Sequence, residues 1–85
     1  MYDLISYLVR GKVRLSILNV LDKPMTPTKI AEQLKNHRST ISRSLIDMEK
    51  RGIVKCLTPT EKTGRLYVLT KKGKNLLEKI RKQNE

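Results

Sequence analysis

The chain has 85 residues, and its 19 lysines and arginines against eight aspartates and glutamates give a net charge of +11 at pH 7. This length suits one small domain, residues 1–85, and leaves few residues for a catalytic cleft, so an enzyme is not expected. The excess positive charge is self-repelling unless a polyanion binds, which makes nucleic acid the first partner to consider.

The sequence shows no feature of a membrane span or of an export signal. Uncharged runs such as Leu4–Val9 and Leu15–Leu21 are far shorter than the roughly 20 apolar residues that a span needs. The N-terminus lacks a basic region and a small-residue cleavage site, and the one cysteine has no partner for an internal disulfide. We therefore expect a cytoplasmic protein that has no membrane contact.

Apolar residues at helical spacing predict that the first quarter of the chain is helical. The residues at these spacings are Leu4, Leu8, Gly11, Leu15 and Leu18. Gly11 weakens the middle of this pattern, because glycine destabilises a helix interior but is suited to an N-cap. We predict a short helical lead-in up to Val9 and a main first helix from about Gly11 to Asp22, which Lys23-Pro24 ends.

A second helix is predicted at Thr26-Pro27, where a capping hydroxyl precedes a proline at the first helical position. This helix runs to about Leu34 or Lys35, and a short turn follows. Its narrow apolar face consists of Ile30, Ala31 and Leu34. Such a face is suited to packing beneath two other helices.

The third helix is predicted from about Arg38 to Arg51, where Gly52 is a typical C-terminal signal. Its buried stripe, found by stepping about 100° per residue, consists of Ile41, Leu45 and Met48. The opposite face carries Ser39, Arg43, Ile46 and Lys50, with Ser42 and Arg38 at its margins. This helix therefore presents a polar and basic surface to solvent.

Two runs rich in β-branched residues, residues 53–58 and 65–70, predict a β-hairpin with a loose tip. Strand alternation assigns to the core side Val54 and Cys56 on the first strand and Tyr67 and Leu69 on the second. Thr70 then caps a last helix, whose apolar residues are Leu76, Leu77 and Ile80. The lysines and arginines of this last helix occupy the rest of its surface.

The order of the predicted elements is helix, helix, turn, helix, two-stranded hairpin and helix, a mostly helical α+β arrangement. It predicts a winged helix-turn-helix with a three-helix core, a hairpin wing at about residues 58–65 and a C-terminal helix. Five segments carry a resemblance to a known family: Arg10–Leu18, Thr26–Leu34, Arg38–Arg43, Met48–Val54 and Gly64–Thr70. On these segments the chain resembles the MarR-like and ArsR-like winged-helix transcription regulators, especially small archaeal ones.

The resemblance implies a regulator that binds double-stranded DNA, with the third helix, about residues 38–51, in the major groove and the wing at the backbone or minor groove. The positions of the third helix that match the family's DNA-contacting positions are Arg38, Ser39, Thr40, Ser42 and Arg43. Arg43 is the strongest candidate for a base contact, because a guanidinium can donate two hydrogen bonds to guanine. Candidate phosphate contacts are Lys62 and Arg65 in the wing and Thr28 and Lys29 at the start of the second helix.

The remaining candidates have more than one interpretation. Ile46 either contacts a thymine methyl or packs under the wing or against a partner subunit, and His37 is a helix cap or a phosphate contact. Lys50 lies on the same outward face and is included among the DNA contacts. Lys35 stands where the family often has glycine, and Asn36 stands where the family usually has an apolar residue. Asparagine tolerates a left-handed backbone, so a turn is still predicted at this place.

No metal or cofactor is expected, because metal sensing needs clustered ligands and the chain has one cysteine and one histidine. Cys56 is interpreted as an inert core residue, with a redox switch as the alternative. Apolar side chains in the terminal segments predict a homodimer, with burial inside one chain as the alternative. The candidate dimer residues are Leu4, Leu8, Leu76, Leu77 and Ile80.

Two other functions are consistent with the sequence. One is an architectural protein that coats DNA with little sequence preference. Comparing the affinities for random and genomic fragments at one salt concentration distinguishes it from a specific regulator. The other is a winged helix that serves as a protein-interaction module in a transcription or replication complex. Such a module does not need Ser39, Arg43 or Lys62.

Overall fold

The structure, a computed structural model, describes residues 2–62 and 64–83 of the chain. In these ranges it contains five helices and one two-stranded antiparallel sheet. The helices are α1 (Tyr2–Arg10), α2 (Lys12–Val20), α3 (Pro27–Leu34), α4 (Arg38–Lys50) and α5 (Lys71–Gln83), and the strands are β1 (Val54–Cys56) and β2 (Tyr67–Leu69). The predicted second and third helices are α3 and α4. In the part of the chain that is described, no helix is long and apolar enough to cross a membrane.

The first quarter of the chain forms two helices that meet at Gly11. This glycine has an extended backbone, its N–H donates to the Leu8 carbonyl at 3.2 Å, and its own carbonyl accepts from the Leu15 N–H at 2.9 Å. The predicted break at Gly11 is confirmed, but the segment before it is a helix of nine residues. The second of these helices ends at Val20, earlier than predicted, and Leu21 is buried beyond its end.

Local hydrogen bonds define both ends of α3. Thr26 Oγ1 accepts from the Lys29 N–H at 3.2 Å, which confirms the predicted cap. At the other end Lys35, not Asn36, adopts the left-handed conformation, with φ 54° and ψ 50°. The predicted turn is confirmed, and the helix closes in a Schellman motif, in which the Asn36 N–H donates to the Ala31 carbonyl at 3.0 Å. That pattern requires the left-handed residue one position earlier.

The hairpin joins the helical core through one face of each strand. β1 and β2 pair with Val54 opposite Leu69 and Cys56 opposite Tyr67. The predicted core side is confirmed for Val54, Tyr67 and Leu69, whereas Cys56 is only half-buried. A backbone pairing that the sequence pattern does not predict joins Met25 to Tyr67, with N···O distances of 3.1 and 2.9 Å. The segment before α3 is thereby tied to the base of the wing.

One core receives buried side chains from all five helices and both strands of the described residues. On α4 the predicted stripe of Ile41, Leu45 and Met48 is fully buried. Three predicted dimer residues also belong to this core: Leu8, Leu76 and Ile80. At most 5% of the surface of any of these three is exposed in the single chain, which contradicts their assignment to a dimer interface. Their apolar surface is already used within the monomer.

Candidate nucleic-acid interface

The outward face of α4 is polar and basic, as predicted. Because Ile41, Leu45 and Met48 turn one side of the helix to the core, the other side is directed to solvent. Arg43 is exposed there, and its Nε donates a long hydrogen bond of 3.4 Å to the carbonyl of Ser39, one turn earlier. Arg43 makes no salt bridge with any described residue. Its guanidinium is therefore available to a ligand.

A groove of about 230 Å³ lies between α4 and the wing. It brings together residues that are far apart in the sequence and that are all predicted DNA contacts: Thr28, Arg38, Ser42, Ile46, Lys62 and Arg65. Pro27, Gly64 and Tyr67 complete its lining. None of the described residues that line this groove is acidic, whereas Arg38, Lys62 and Arg65 are basic. The groove is suited to an anionic ligand.

A second depression, of about 730 Å³, follows the turn between α3 and α4. Thr28 and Arg38 line both depressions, and His37 lines the second together with Lys35 and Asn36. His37 is the N-cap residue of α4, but its side chain makes no capping hydrogen bond. The Asn36 side chain instead accepts from the His37 N–H at 2.8 Å. The His37 imidazole is therefore exposed beside Arg38, and its helix-cap interpretation is not supported.

The wing is held together by side chains at its base. Thr58 Oγ1 accepts from the Leu66 N–H at 3.0 Å, and Arg65 donates to the Pro59 carbonyl at 3.2 Å. The Cys56 side chain raises the pKa of the Arg65 guanidinium, and Tyr67 adds to this effect. Arg65 is thus partly engaged within the hairpin, whereas Lys62 is exposed in the loop. The neighbouring Thr63 of the predicted wing tip lies outside the described residues.

The predicted DNA contacts differ in exposure. The exposed ones are Thr28, Lys29, His37, Arg38, Ser39, Arg43, Ile46, Lys50 and Lys62, and the half-buried ones are Thr40, Ser42 and Arg65. Five of the predicted DNA contacts line neither depression: Lys29, Ser39, Thr40, Arg43 and Lys50. Sequence reasoning missed Pro27, Gly64 and Tyr67 as lining residues. Tyr67 was predictable only as a core residue, because the Met25 pairing that holds β2 beside α3 leaves no trace in the local pattern.

These elements and this groove define a winged helix-turn-helix domain, in which α3 and α4 are the helix-turn-helix and the β1–β2 hairpin is the wing. The chain belongs to the HVO_A0261 N-terminal domain family, whose family model matches residues 2–85. No curated protein matches the sequence.

Nine solved chains are similar to this one, among them the following three. The transcriptional regulator SlyA shares 30% identity over 88% of this chain and 54% of its own, with a TM-score of 0.70. A MarR family transcriptional regulator from Silicibacter pomeroyi DSS shares 25% over 96% of this chain and 57% of its own, with a TM-score of 0.74. HlyU from Vibrio cholerae N16961 shares 19% over 96% of this chain and 94% of its own, with a TM-score of 0.72, and shows the fold alone.

The chain spans little more than half the length of SlyA and of the Silicibacter regulator. These likenesses confirm the MarR-like winged-helix part of the resemblance and the predicted α+β fold. The ArsR-like and archaeal parts of the resemblance stay predictions.

Proposed function

We propose that this chain is the DNA-binding domain of a transcriptional regulator, in which α4 enters the major groove and the wing contacts the backbone or the minor groove. The observation that carries the proposal is the groove between α4 and the wing. Six predicted DNA contacts lie together there, and no described lining residue is acidic. SlyA and the Silicibacter protein are transcriptional regulators, which supports the same assignment.

The proposed recognition helix has the length and the side chains for base contacts. Its 13 residues span about 20 Å, and an α-helix fits the roughly 12 Å width of the major groove. Arg43 can donate two hydrogen bonds to guanine O6 and N7, and the Ser39 hydroxyl beside it allows close approach. Ile46 is 45% exposed and lines the groove, so its side chain is free to contact a thymine methyl.

The other candidates orient the domain on the duplex. Lys62 in the wing and Thr28 and Lys29 in the first turn of α3 are placed for phosphate contacts, which carry no sequence information. Arg65 has a mixed role, since one nitrogen holds the Pro59 carbonyl while the side chain lines the groove. Its hydrogen bond to Pro59 holds the two sides of the wing together.

The proposal includes a homodimer on a pseudo-palindromic site. After removal of the core residues, the predicted interface keeps Leu4 and Leu77, which are half-buried. Val9, also on α1, is 52% exposed. These residues lie on α1 and α5, which pack against each other. A second copy that covers this surface would present two α4 helices to successive half-sites.

Arg43→Ala is expected to lower the affinity for a specific duplex by about 1–3 kcal/mol and to relax preference at one base position, because it removes a base contact. The fold is expected to be unchanged, since Arg43 is exposed. Titration against duplexes recovered from a random DNA pool measures both effects. Arg43→Lys is the matched control: it keeps the charge but not the planar fork, so the base preference disappears while the salt dependence is retained. Wild-type affinity and preference in Arg43→Ala would contradict α4 as the recognition helix.

Lys62→Ala is expected to weaken binding to selected and to random DNA alike, because a lysine near a phosphate contributes affinity without sequence information. The slope of log affinity against log salt is expected to fall by about one unit, since one lysine no longer neutralises a phosphate. Lys55→Ala is the control with the same change of charge, since Lys55 is exposed on β1 and does not line the groove. Equal slopes for Lys62→Ala and wild type would mean that the wing does not contact DNA.

The two rival functions give different results in the same experiments. An architectural protein binds random and selected duplexes with similar affinity at fixed salt, and the random pool yields no consensus. A protein-interaction module shows no DNA-dependent NMR shift changes at Ser39, Arg43 and Lys62. A palindromic consensus, by contrast, supports specificity and the dimer together.

A further inference from the structure

Four side chains meet where α1 and α2 pack against α4, outside the groove described above. The Tyr7 hydroxyl of α1 donates a hydrogen bond to Asp47 Oδ2 on α4, across 40 positions of the chain. The same carboxylate oxygen accepts from Arg51 Nε, at the C-terminal end of α4, at 3.4 Å. Two donors from different elements therefore converge on one oxygen atom of Asp47.

The Tyr7 ring is held in place by two arginines. The Cζ atoms of Arg14 and Arg51 each lie 4.0 Å from the centre of the ring, which is the geometry of a cation–π contact. Arg14 Nε also donates to the Tyr7 carbonyl at 2.9 Å. The hydroxyl that reaches Asp47 is thus positioned by α2 and by the end of α4 as well as by its own helix.

The protonation states favour this hydrogen bond near neutral pH. Burial raises the pKa of Tyr7, and the contact with Asp47 raises it further, so the hydroxyl keeps its proton. The hydrogen bond from Tyr7 lowers the pKa of Asp47, and Arg51 adds to this effect. Asp47 therefore remains an ionised acceptor.

Two arginines, Arg43 and Arg51, have the spacing to form an ion pair with Asp47. Asp47 lies four residues after Arg43 and four residues before Arg51, and side chains at both spacings are neighbours on a helix surface. The structure pairs Asp47 with Arg51, the order of charges that a helix favours, and leaves Arg43 without a carboxylate among the described residues. An ion pair between Asp47 and Arg43 would occupy donors of the guanidinium that the proposed function assigns to a base.

We propose that Tyr7 is a positioning residue for DNA recognition: its hydrogen bond holds Asp47 on the α1 side of α4, which leaves Arg43 free to contact a base. Tyr7 itself does not line the groove and need not touch DNA. The inference rests on the proposed function, because it requires Arg43 to contact DNA. Tyr7 lies on α1, 36 positions before Arg43 in the sequence. The inference thus adds a residue outside the helix-turn-helix to the determinants of base preference.

The test compares Tyr7→Phe with wild type on two probes: a short duplex carrying the sequence selected from a random pool, and a duplex of the same composition in shuffled order. Tyr7→Phe keeps the ring between the arginines and removes only the hydroxyl. Affinity for the selected duplex is expected to fall about twofold, because Asp47 is released to compete for Arg43, while affinity for the shuffled duplex changes little.

Two further variants separate this role from a general effect on folding. In Tyr7→Phe/Asp47→Asn the competing charge is absent, so affinity for the selected duplex is expected to return to that of wild type. In the Arg43→Ala background, Tyr7→Phe is expected to have no further effect. A structural defect at the α1–α4 contact would not be rescued by Asp47→Asn and would not depend on Arg43.

Failure of the inference and failure of the proposed function give different results. Wild-type affinity in Tyr7→Phe, failure of the Asp47→Asn rescue, or an equal loss with and without Arg43 would each overturn the inference and leave the proposed function standing. If Arg43→Ala itself binds the selected duplex as wild type does, the proposed function fails first.

Discussion

Leu76→Ala is expected to lower the free energy of unfolding by about 2–5 kcal/mol, the usual cost of truncating a leucine in a packed core. Leu76 on α5 is fully buried in the single chain. Leu77→Ala is the matched control, because the neighbouring leucine is half-buried and its truncation removes less buried apolar surface. Urea unfolding followed by circular dichroism measures both variants.

Sedimentation of the same two variants tests the corrected dimer surface. If the dimer uses Leu77, then Leu77→Ala weakens self-association with little loss of monomer stability, and Leu76→Ala does the reverse. Removal of the chain from Leu76 onward is expected to unfold the domain, because Ile80 is removed from the core as well. A folded, helical monomer after that truncation would instead return Leu76 and Ile80 to the interface.

Gly73→Ala is expected to destabilise the domain by about 3 kcal/mol, although alanine is normally the better residue in a helix by roughly 0.5–1 kcal/mol. A Cβ atom at position 73 would lie 2.2 Å from the carbonyl oxygen of Ile53, a backbone atom. The Ile53 carbonyl already accepts from the Thr70 N–H at 3.0 Å, which fixes it against the first turn of α5. The clash can be relieved only by moving α5 away from the hairpin.

Asn75→Ala is the control for helix propensity, since Asn75 is exposed on the same helix. Asn75→Ala is expected to raise the free energy of unfolding by about 0.5 kcal/mol at most. Thermal unfolding of Gly73→Ala, Asn75→Ala and wild type compares their stabilities. Gly73→Ala with wild-type stability or better would contradict the close packing of α5 on the segment before β1.

The boundaries of the helices were predictable where the determinants are local. Thr26 and Thr70 cap α3 and α5 with their own hydroxyls, and the apolar spacing of α4 identified its buried side as well as its polar side. The turn after α3 shows the limit of such reasoning. Whether Lys35 or Asn36 takes the left-handed backbone depends on which carbonyls the two N–H groups reach, and residue preference alone favours the wrong one.

By itself, the amino-acid sequence determined the winged-helix fold class, the element order and the basic outward face of α4, because these follow from caps, turns and periodicity along neighbouring residues. Only the tertiary structure decided which apolar faces are covered. The apolar pattern of α5, with Leu76 and Ile80 on one side, is the same whether the helix packs against its own chain or against a second copy. The structure shows that both residues are buried in the single chain. The groove between α4 and the wing, and the contact of Tyr7 with Asp47, were likewise decided by packing, since both join residues that are distant in sequence and carry no shared local signal.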